Sequence, residues 1–599
     1  MPPASRRWLA LALTAGAALP VLAQESILPP GFGDPAPPPQ QQPQPQAQPA
    51  PGTAPTPVTP RIVKVDPDAE NGDVVVSETG ADALAEVPAV QPEYVTAARR
   101  APEDAGLFAP QALGLGDKPW GGAYGPFLEV LMRRMDTPLA SRWSHILLRS
   151  ALLAKGAPPA GVNASDWAAE RAWLLLRMGE ADAARMLVAT VDTDGFTPKM
   201  VQVATQSALA TSDPSGLCPI ETRIDKVEPK IAPLVSAMCA ALQGSPEQAA
   251  SLVDRARNRG KLSPIDVSLA DKVVGAAGDS SRAVTIEWEP VEHLDSWRFG
   301  LSSATGMMPP EKLVTGAPAQ LRAWFARSPM FSPEKRLDAA RTAARMGVFS
   351  SSGYVSLMAA AFDRTDPDTL GSTDPWQLRL AYAGEDQDTK IGAMRKLWGL
   401  GSEDDRYGSL VLTARAASLV APSADLSSDA PNLIASMLAG GYDRHAARWA
   451  SVLGDLDDKD ADRVWAMLAL SAPDTRGIDL GQGRIEDFAD RDDSKDHQRT
   501  ALLVGGLLGL GRINADTANA LASKYELRLG GTSRWSGYID GAAQRGQAGT
   551  VVVMAASAMQ ASSPKTLSGR YMYHSVAGLK KVGLDFAARM IAAEALARS

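Results

Sequence analysis

From about Gly106 to Ser599, apolar residues recur at intervals of three and four, the period of one face of a helix. The pattern predicts helices over Phe127–Met135, Ala140–Ala154, Asp166–Met178, Ala181–Val191, Leu234–Leu242, Pro246–Asn258, Leu567–Val582 and Leu584–Arg598. Short breaks at Gly, Pro, Asp and Asn part them. Strand-like alternation in this region is confined to short runs such as Ala283–Trp288. Alanine, the commonest residue, has the strongest intrinsic helix preference and lets helices approach closely. The expected fold class is all-α: stacked helical hairpins forming an α-solenoid or superhelix over residues 106–599, after a disordered N-terminal segment.

One spacing recurs within the helical region. Gly179 is followed by Ala184, Val188 and Val191; Gly244 by Ala249, Val253 and Ala256; Gly441 by Ala446, Ala450 and Leu453; Gly583 by Ala588, Ala592 and Ala595. Each set reads as a glycine in a tight turn, a small residue where the next helix crosses its predecessor, and two apolar residues on the same face. The stretches Trp173–Arg185 and Met238–Ala250 resemble the second half of a tetratricopeptide-type helical hairpin. The resemblance is partial, because the four sets are not spaced at 34 residues. The first helix of each hairpin also lacks the tryptophan, leucine-glycine and tyrosine pattern of that family. An irregular helical bundle is the competing architecture.

The N-terminal hundred residues follow other patterns. Arg6 and Arg7 precede an apolar stretch, Trp8–Ala23, that ends in Val21-Leu22-Ala23, with small residues where a signal peptidase reads. Residues 1–23 are therefore expected to be a signal peptide cleaved before Gln24. The stretch is short for a membrane span and carries Gly16 and Pro20, which disfavours an uncleaved anchor. Ser5–Leu9 faintly resembles a twin-arginine signal. Residues 24–60 are Pro/Gln-rich, with 13 prolines between Pro29 and Pro60, a composition that forms neither helix nor ladder. Residues 61–105 read as a linker with one short hairpin, from the strand-like Ile62–Val65 and Val74–Val76 around Asn71-Gly72.

Charge excludes one class of partner. The chain carries a net charge of −8, about −10 without Arg6 and Arg7, and has no basic block to neutralise phosphate backbones, so no nucleic acid is expected. No later stretch reaches the roughly 18 apolar residues of a transmembrane helix. There are two cysteines, Cys218 and Cys239, and in an oxidising compartment such a close pair is expected to form a structural disulfide. A redox or metal pair is the alternative, but no Cys-x-x-Cys or nearby histidine supports it.

The search for chemistry finds no signature. The five histidines, His145, His293, His445, His497 and His574, form no zinc-protease pattern, and no nucleophile elbow or phosphate loop is present. His445, just after a turn glycine, reads as a solvent-facing helix residue. Neither cofactor nor metal is expected, and enzymatic activity is not. Two acidic stretches, Asp455–Asp462 and Asp487–His497, lack calcium-loop spacing and read as solvated inter-helix loops. The aromatic-cationic group Trp297, Arg298, Phe299, Trp324 and Phe325 is a candidate binding groove, its alternative being ordinary core.

The stretches Trp120–Leu153, Asp166–Arg185 and Trp297–Phe349 resemble a group of uncharacterised exported proteins of Gram-negative bacteria, some labelled antifreeze-glycopeptide-related. That resemblance implies an envelope location and carries no implication of ice binding, since no regular threonine ladder exists here. The leading expectation is a periplasmic helical-repeat scaffold or adaptor whose partners are envelope proteins or peptidoglycan. The alternatives are a peptidoglycan-binding or degenerate lytic-transglycosylase-like protein and a secretion or transport accessory.

Overall fold

The computed structural model describes residues 99–260, 262–278, 284–561 and 563–599. The expected leader (1–23), the Pro/Gln-rich stretch (24–60) and the hairpin of the linker lie outside the described residues. The described chain is all-α, with 24 helices of eight or more residues. Among the described residues the only β-type pairings are two isolated bridges, Phe108 with Ala154 and Tyr124 with Ala160. The expected strand-like run Ala283–Trp288 forms no strand: its described part, Val284–Trp288, is irregular. A lone strand has no partner for its backbone groups, and no sheet lies beside it to supply one.

In chain order the helices are α1 (Gly125–Arg134), α2 (Arg142–Leu152), α3 (Ala164–Arg177), α4 (Ala181–Val188), α5 (Pro198–Ala210), α6 (Ala232–Leu242), α7 (Pro246–Asn258) and α8 (Pro264–Ala277). Then follow α9 (Ser296–Ala304), α10 (Ala319–Arg327), α11 (Pro333–Met346), α12 (Ser351–Phe362), α13 (Asp374–Ala383), α14 (Gln387–Trp398), α15 (Glu403–Leu412) and α16 (Ala430–Ala439). The last are α17 (Asp458–Ser471), α18 (Gln482–Asp490), α19 (Gln498–Gly509), α20 (Ala515–Lys524), α21 (Arg534–Gln544), α22 (Ala548–Ser557), α23 (Gly569–Lys581) and α24 (Asp585–Ala597). Sequential helices pair as hairpins, α3 with α4, α6 with α7, α10 with α11, α13 with α14 and α23 with α24, and each hairpin packs on its neighbours.

The four turn glycines of the repeated spacing do one physical job. Gly179, Gly244, Gly441 and Gly583 have φ of 87°, 82°, 84° and 89°, the left-handed region in which a Cβ is penalised. At each, the residue after the glycine donates its amide to the carbonyl five positions back (Glu180 to Leu175, Ser245 to Ala240, Tyr442 to Met437, Leu584 to Leu579). The glycine itself donates to the carbonyl three positions back. This is the Schellman C-cap, which satisfies the carbonyls a helix end leaves open. It aims the next helix back along its predecessor, so Ala184, Ala249, Ala446 and Ala588 land buried at the crossing.

Other helix C-termini are closed by distant cations. Arg171 donates to the carbonyls of Leu152 and Ala154, just past α2, and of Ala105, at 3.1, 2.9 and 2.8 Å. Burial lowers its pKa to about 10. Arg177 reaches the carbonyls of Met132 and Met135 at the end of α1, and Arg512 those of Ala469 and Ala472 at the end of α17. Cations favour the negative end of a helix dipole, and each such arginine ties one hairpin to the next.

The two ends of the described chain meet. Helix α2 packs on α22 and α24 and also touches α11. Arg142, 1% exposed, donates to the carbonyls of Ala439 (3.2 Å), Ala344 (2.8 Å) and Phe349 (3.0 Å). The Trp143 indole N–H donates to the Leu438 carbonyl at 3.1 Å. One arginine thus gathers the ends of α11 and α16 around the start of α2. The stack of hairpins does not remain open: its last helix covers its second.

The tightest seam runs between α19 and α23. A Cβ built on Gly505 would stand 2.4 Å from the carbonyl oxygen of Gly569, and one on Gly569 would stand 2.6 Å from that of Ala501. Neither neighbour is a flexible side-chain tip, so the helices would have to part. Gly505→Ala is expected to destabilise by about 1–3 kcal/mol, despite alanine's better helix propensity. Thermal denaturation checks this, and an unchanged or raised midpoint would show that the seam relaxes freely.

Candidate ligand cavity

A cavity of about 570 Å³ opens between α15, α16, α17 and α24. Its walls are helix faces read at helical spacing. Arg406, Tyr407 and Leu410 lie on one side of α15, and Lys459, Arg463, Ala466 and Met467 on one side of α17. Phe488 of α18, Arg499 of α19 and Leu596 of α24 complete it. The lining combines apolar side chains with charges of both signs.

The charges are not evenly engaged. Asp462 is buried and accepts from Arg484 (2.8 Å) and from both ends of the Arg491 fork (2.6 and 2.8 Å). Those hydrogen bonds, against a smaller opposing effect of burial, raise the Arg491 pKa. Asp492 accepts from the amide and hydroxyl of Thr500, Glu403 pairs with Lys565 at 2.8 Å, and Asp493 pairs with Arg499 at 2.7 Å. Asp404 pairs with Arg345 and lies 3.5 Å from Arg598. By contrast Arg406 donates only to the amide oxygen of Asn432, at 2.6 Å. Among the described residues the side chains of Arg463 and Lys459 make no hydrogen bond or ion pair. Arg463 is solvent-accessible, yet burial, followed by the like charges of Arg499 and Arg406, lowers its pKa.

The two acidic stretches that read as solvated loops come together here. Asp458 and Asp462 belong to α17, and Asp492 and Asp493 follow α18; all four line the cavity. Asp462 is not solvated, because its place on the inner face of α17 puts it between two arginines. The lysine-arginine spacing of 459 and 463 was visible in the sequence. It is too ordinary on a helix surface to signal a site, and the partners from α15 and α19 lie far away along the chain.

The aromatic group proposed as a groove lies elsewhere and is packed inside. Trp297, Phe299 and Phe325 are buried, Trp324 is half-buried, and none of them lines the cavity. Phe299 meets Trp324 at 5.9 Å and Phe325 stacks on Phe331 at 4.6 Å. Arg298 is held at 2.8 Å by Asp266, whose hydrogen bond raises its pKa against the opposing effect of burial. Aromatic faces and guanidinium are thus committed to α8, α9 and α10 rather than offered to a ligand. The cysteines stand as expected. The sulfurs of Cys218 and Cys239 are 2.07 Å apart, joining the turn Pro214–Ile220 to the buried middle of α6.

Four histidines have defined surroundings, and His497 lies 5.4 Å from the Tyr525 ring. His574 faces Asp540 at 3.0 Å, and His445 is half-buried against Tyr442 rather than turned out to solvent. His145 of α2 is fully buried, with Nε2 3.0 Å from Glu180; Arg149 donates to the same carboxylate at 2.8 Å. Burial lowers the His145 pKa, aided by the charges of Arg149 and Arg142 and opposed by Glu180. Burial alone would raise the Glu180 carboxyl, but Arg149 and His145 outweigh it and hold it low.

The unfolded chain takes a proton at His145 near pH 6.5, and the folded chain only at lower pH. The unfolded state then binds more protons in that window. Stability is therefore full above it and is lost as pH falls through it; Glu180 adds a second loss at lower pH. In His145→Gln an amide donor remains but cannot titrate. The slope of stability between about pH 7 and about pH 5 should flatten in chemical denaturation. A slope equal to that of the parent would assign it to other groups.

Among the described residues no helix is long and apolar enough to cross a membrane, and no group of three or more His, Cys, Asp or Glu is placed to hold a metal ion. The fold and cavity together define an all-α protein of stacked helical hairpins with a charged internal recess. No family model, curated protein or solved structure matches this chain.

Proposed function

We propose that this chain is an exported helical-repeat adaptor of the bacterial cell envelope, a scaffold that holds other envelope components. The observation that carries the reading is the stack of hairpins with its recurring glycine joints, since stacked helical hairpins present long, continuous binding surfaces. The leader pattern of residues 1–23 and a cysteine pair at bonding distance agree with an oxidising compartment.

Two experiments test it. Cell fractionation with N-terminal sequencing should find a mature form beginning at Gln24 in the periplasm, and a full-length cytoplasmic form would overturn export. Cross-linking in intact cells should recover the same envelope protein in independent preparations, and that protein, tagged in turn, should recover this chain. Failure of the reciprocal capture sinks the adaptor reading. Release of muropeptides from cell-wall sacculi incubated with the mature protein would replace it with an enzymatic one.

A further inference from the structure

The cavity between α15, α16, α17 and α24 has features that a mere packing defect would not have. Five guanidiniums and the Lys459 ammonium line it; Arg491, Arg499 and Arg598 are already paired, with Asp462, Asp493 and Glu594, while Arg406 of α15 and Arg463 of α17 are not paired with a carboxylate. Arg463 and Lys459 have no partner among the described residues, and Arg406 has only a neutral one. Five of the six wall carboxylates are already engaged; Asp458 is the exception. Asp462, Asp404 and Glu403 are each paired with a cation from outside the lining, namely Arg484, Arg345 and Lys565. Among the described residues, the lining side chains left without an ion-pair partner are therefore three cations, Arg406, Lys459 and Arg463, against two carboxylates, Asp458 and the Asp492 already bonded to Thr500. Leu410, Met467 and Phe488 also line the space, apolar surface that no free inorganic ion would need.

We propose that this cavity binds an organic phosphate, its phosphate group held by Arg406, Arg463 and Lys459 and its apolar body lying on Leu410, Met467 and Phe488. Guanidinium forks match the oxygens of a phosphate, and a group carrying up to two negative charges answers the cations of Arg406, Arg463 and Lys459. The recess is of the size that encloses small organic ligands, about 300–1,000 Å³. Burial, and after it the like charges of Arg499 and Arg406, lowers the Arg463 pKa, an effect that an anion in the recess would oppose. The site goes beyond the adaptor reading and does not depend on it.

Calorimetry on the whole mature chain tests the assignment with two probes: inorganic phosphate, and dihexanoyl phosphatidic acid below its micellar concentration. Both should bind saturably at one site, the phosphatidic acid at least about tenfold tighter because it alone has an apolar body to lay on Leu410, Met467 and Phe488. Arg406→Gln/Arg463→Gln should weaken both probes by at least about tenfold with helicity and thermal midpoint retained. Met467→Gln should weaken only the phosphatidic acid. Neither probe binding at millimolar concentration, or unchanged affinity in the double variant, overturns the proposal. Equal affinity for the two probes overturns the organic body and leaves a site for free phosphate. Reciprocal cross-linking has its own outcome, so failure of the adaptor reading would not be mistaken for failure of this one.

Discussion

Replacing Glu594 with alanine is expected to cost about 3–5 kcal/mol of stability and to loosen the join between the two ends of the described chain. Glu594 lies on the last helix, α24, and is 4% exposed. Its carboxylate accepts from the Ser141 hydroxyl at 2.6 Å and from the amides of Arg142 at 2.8 Å and Trp143 at 3.1 Å. It also pairs with Arg598 at 2.8 Å. The first turn of α2 has open amide donors and the positive end of a helix dipole, and a carboxylate there answers both. In this protein the carboxylate comes from 452 residues away.

Truncation would leave two buried amides unpaired. It would also leave Arg598 with the Ala140 carbonyl at 2.7 Å, Asp404 at 3.5 Å and the face of Tyr407, and without its buried carboxylate. Unpaired buried donors and a stranded cation are what make such deletions expensive. Glu594→Gln keeps the shape and one acceptor oxygen, so its loss should be smaller. Hydrogen exchange at the amides of α2 and α24, with chemical denaturation, reads both. If protection of α2 is unaltered in Glu594→Ala, the ends are held by apolar packing alone.

Removing the disulfide is the second large effect. Cys218 and Cys239 are 21 positions apart, and closing such a loop in the unfolded chain is worth about 3 kcal/mol by chain entropy. The double variant Cys218→Ala/Cys239→Ala is therefore expected to lose about that much. A reductant acting on the parent should reproduce the shift, and the variant should be indifferent to it. The loss should show first as faster exchange over residues 214–231, where two short turns of helix are pinned against α6. A thermal midpoint unmoved by either treatment would mean that packing of the buried Cys239 already holds the loop.

These two effects differ in how far the sequence foretold them. The cysteine pair could be read directly, because two cysteines permit one pairing. The glycine joints were legible for a related reason: a Schellman cap is made within six residues, so Gly179, Gly244, Gly441 and Gly583 carry it in their own neighbourhood. The aromatic segment around Trp297 shows where local reading stops. Apolar residues with interleaved arginine look the same in a groove and in a core, and only the helices packed over Phe299 and Phe325 distinguish the two. The acidic stretches were similarly ambiguous until Asp462 met Arg484 and Arg491.

By itself, then, the sequence determined the helical class, the hairpin joints, the cysteine pairing and the expectation of export. Each of these rests on backbone preference, short-range hydrogen bonds or composition. The tertiary structure alone decided that Glu594 caps α2, that Arg142 collects the ends of α11 and α16, and that Arg406 of α15 faces the same recess as Lys459 and Arg463 of α17. The physical reason is the same in each case. Which distant surfaces meet is settled by the packing of all the helices together, a sum to which no local stretch of the chain holds more than one term.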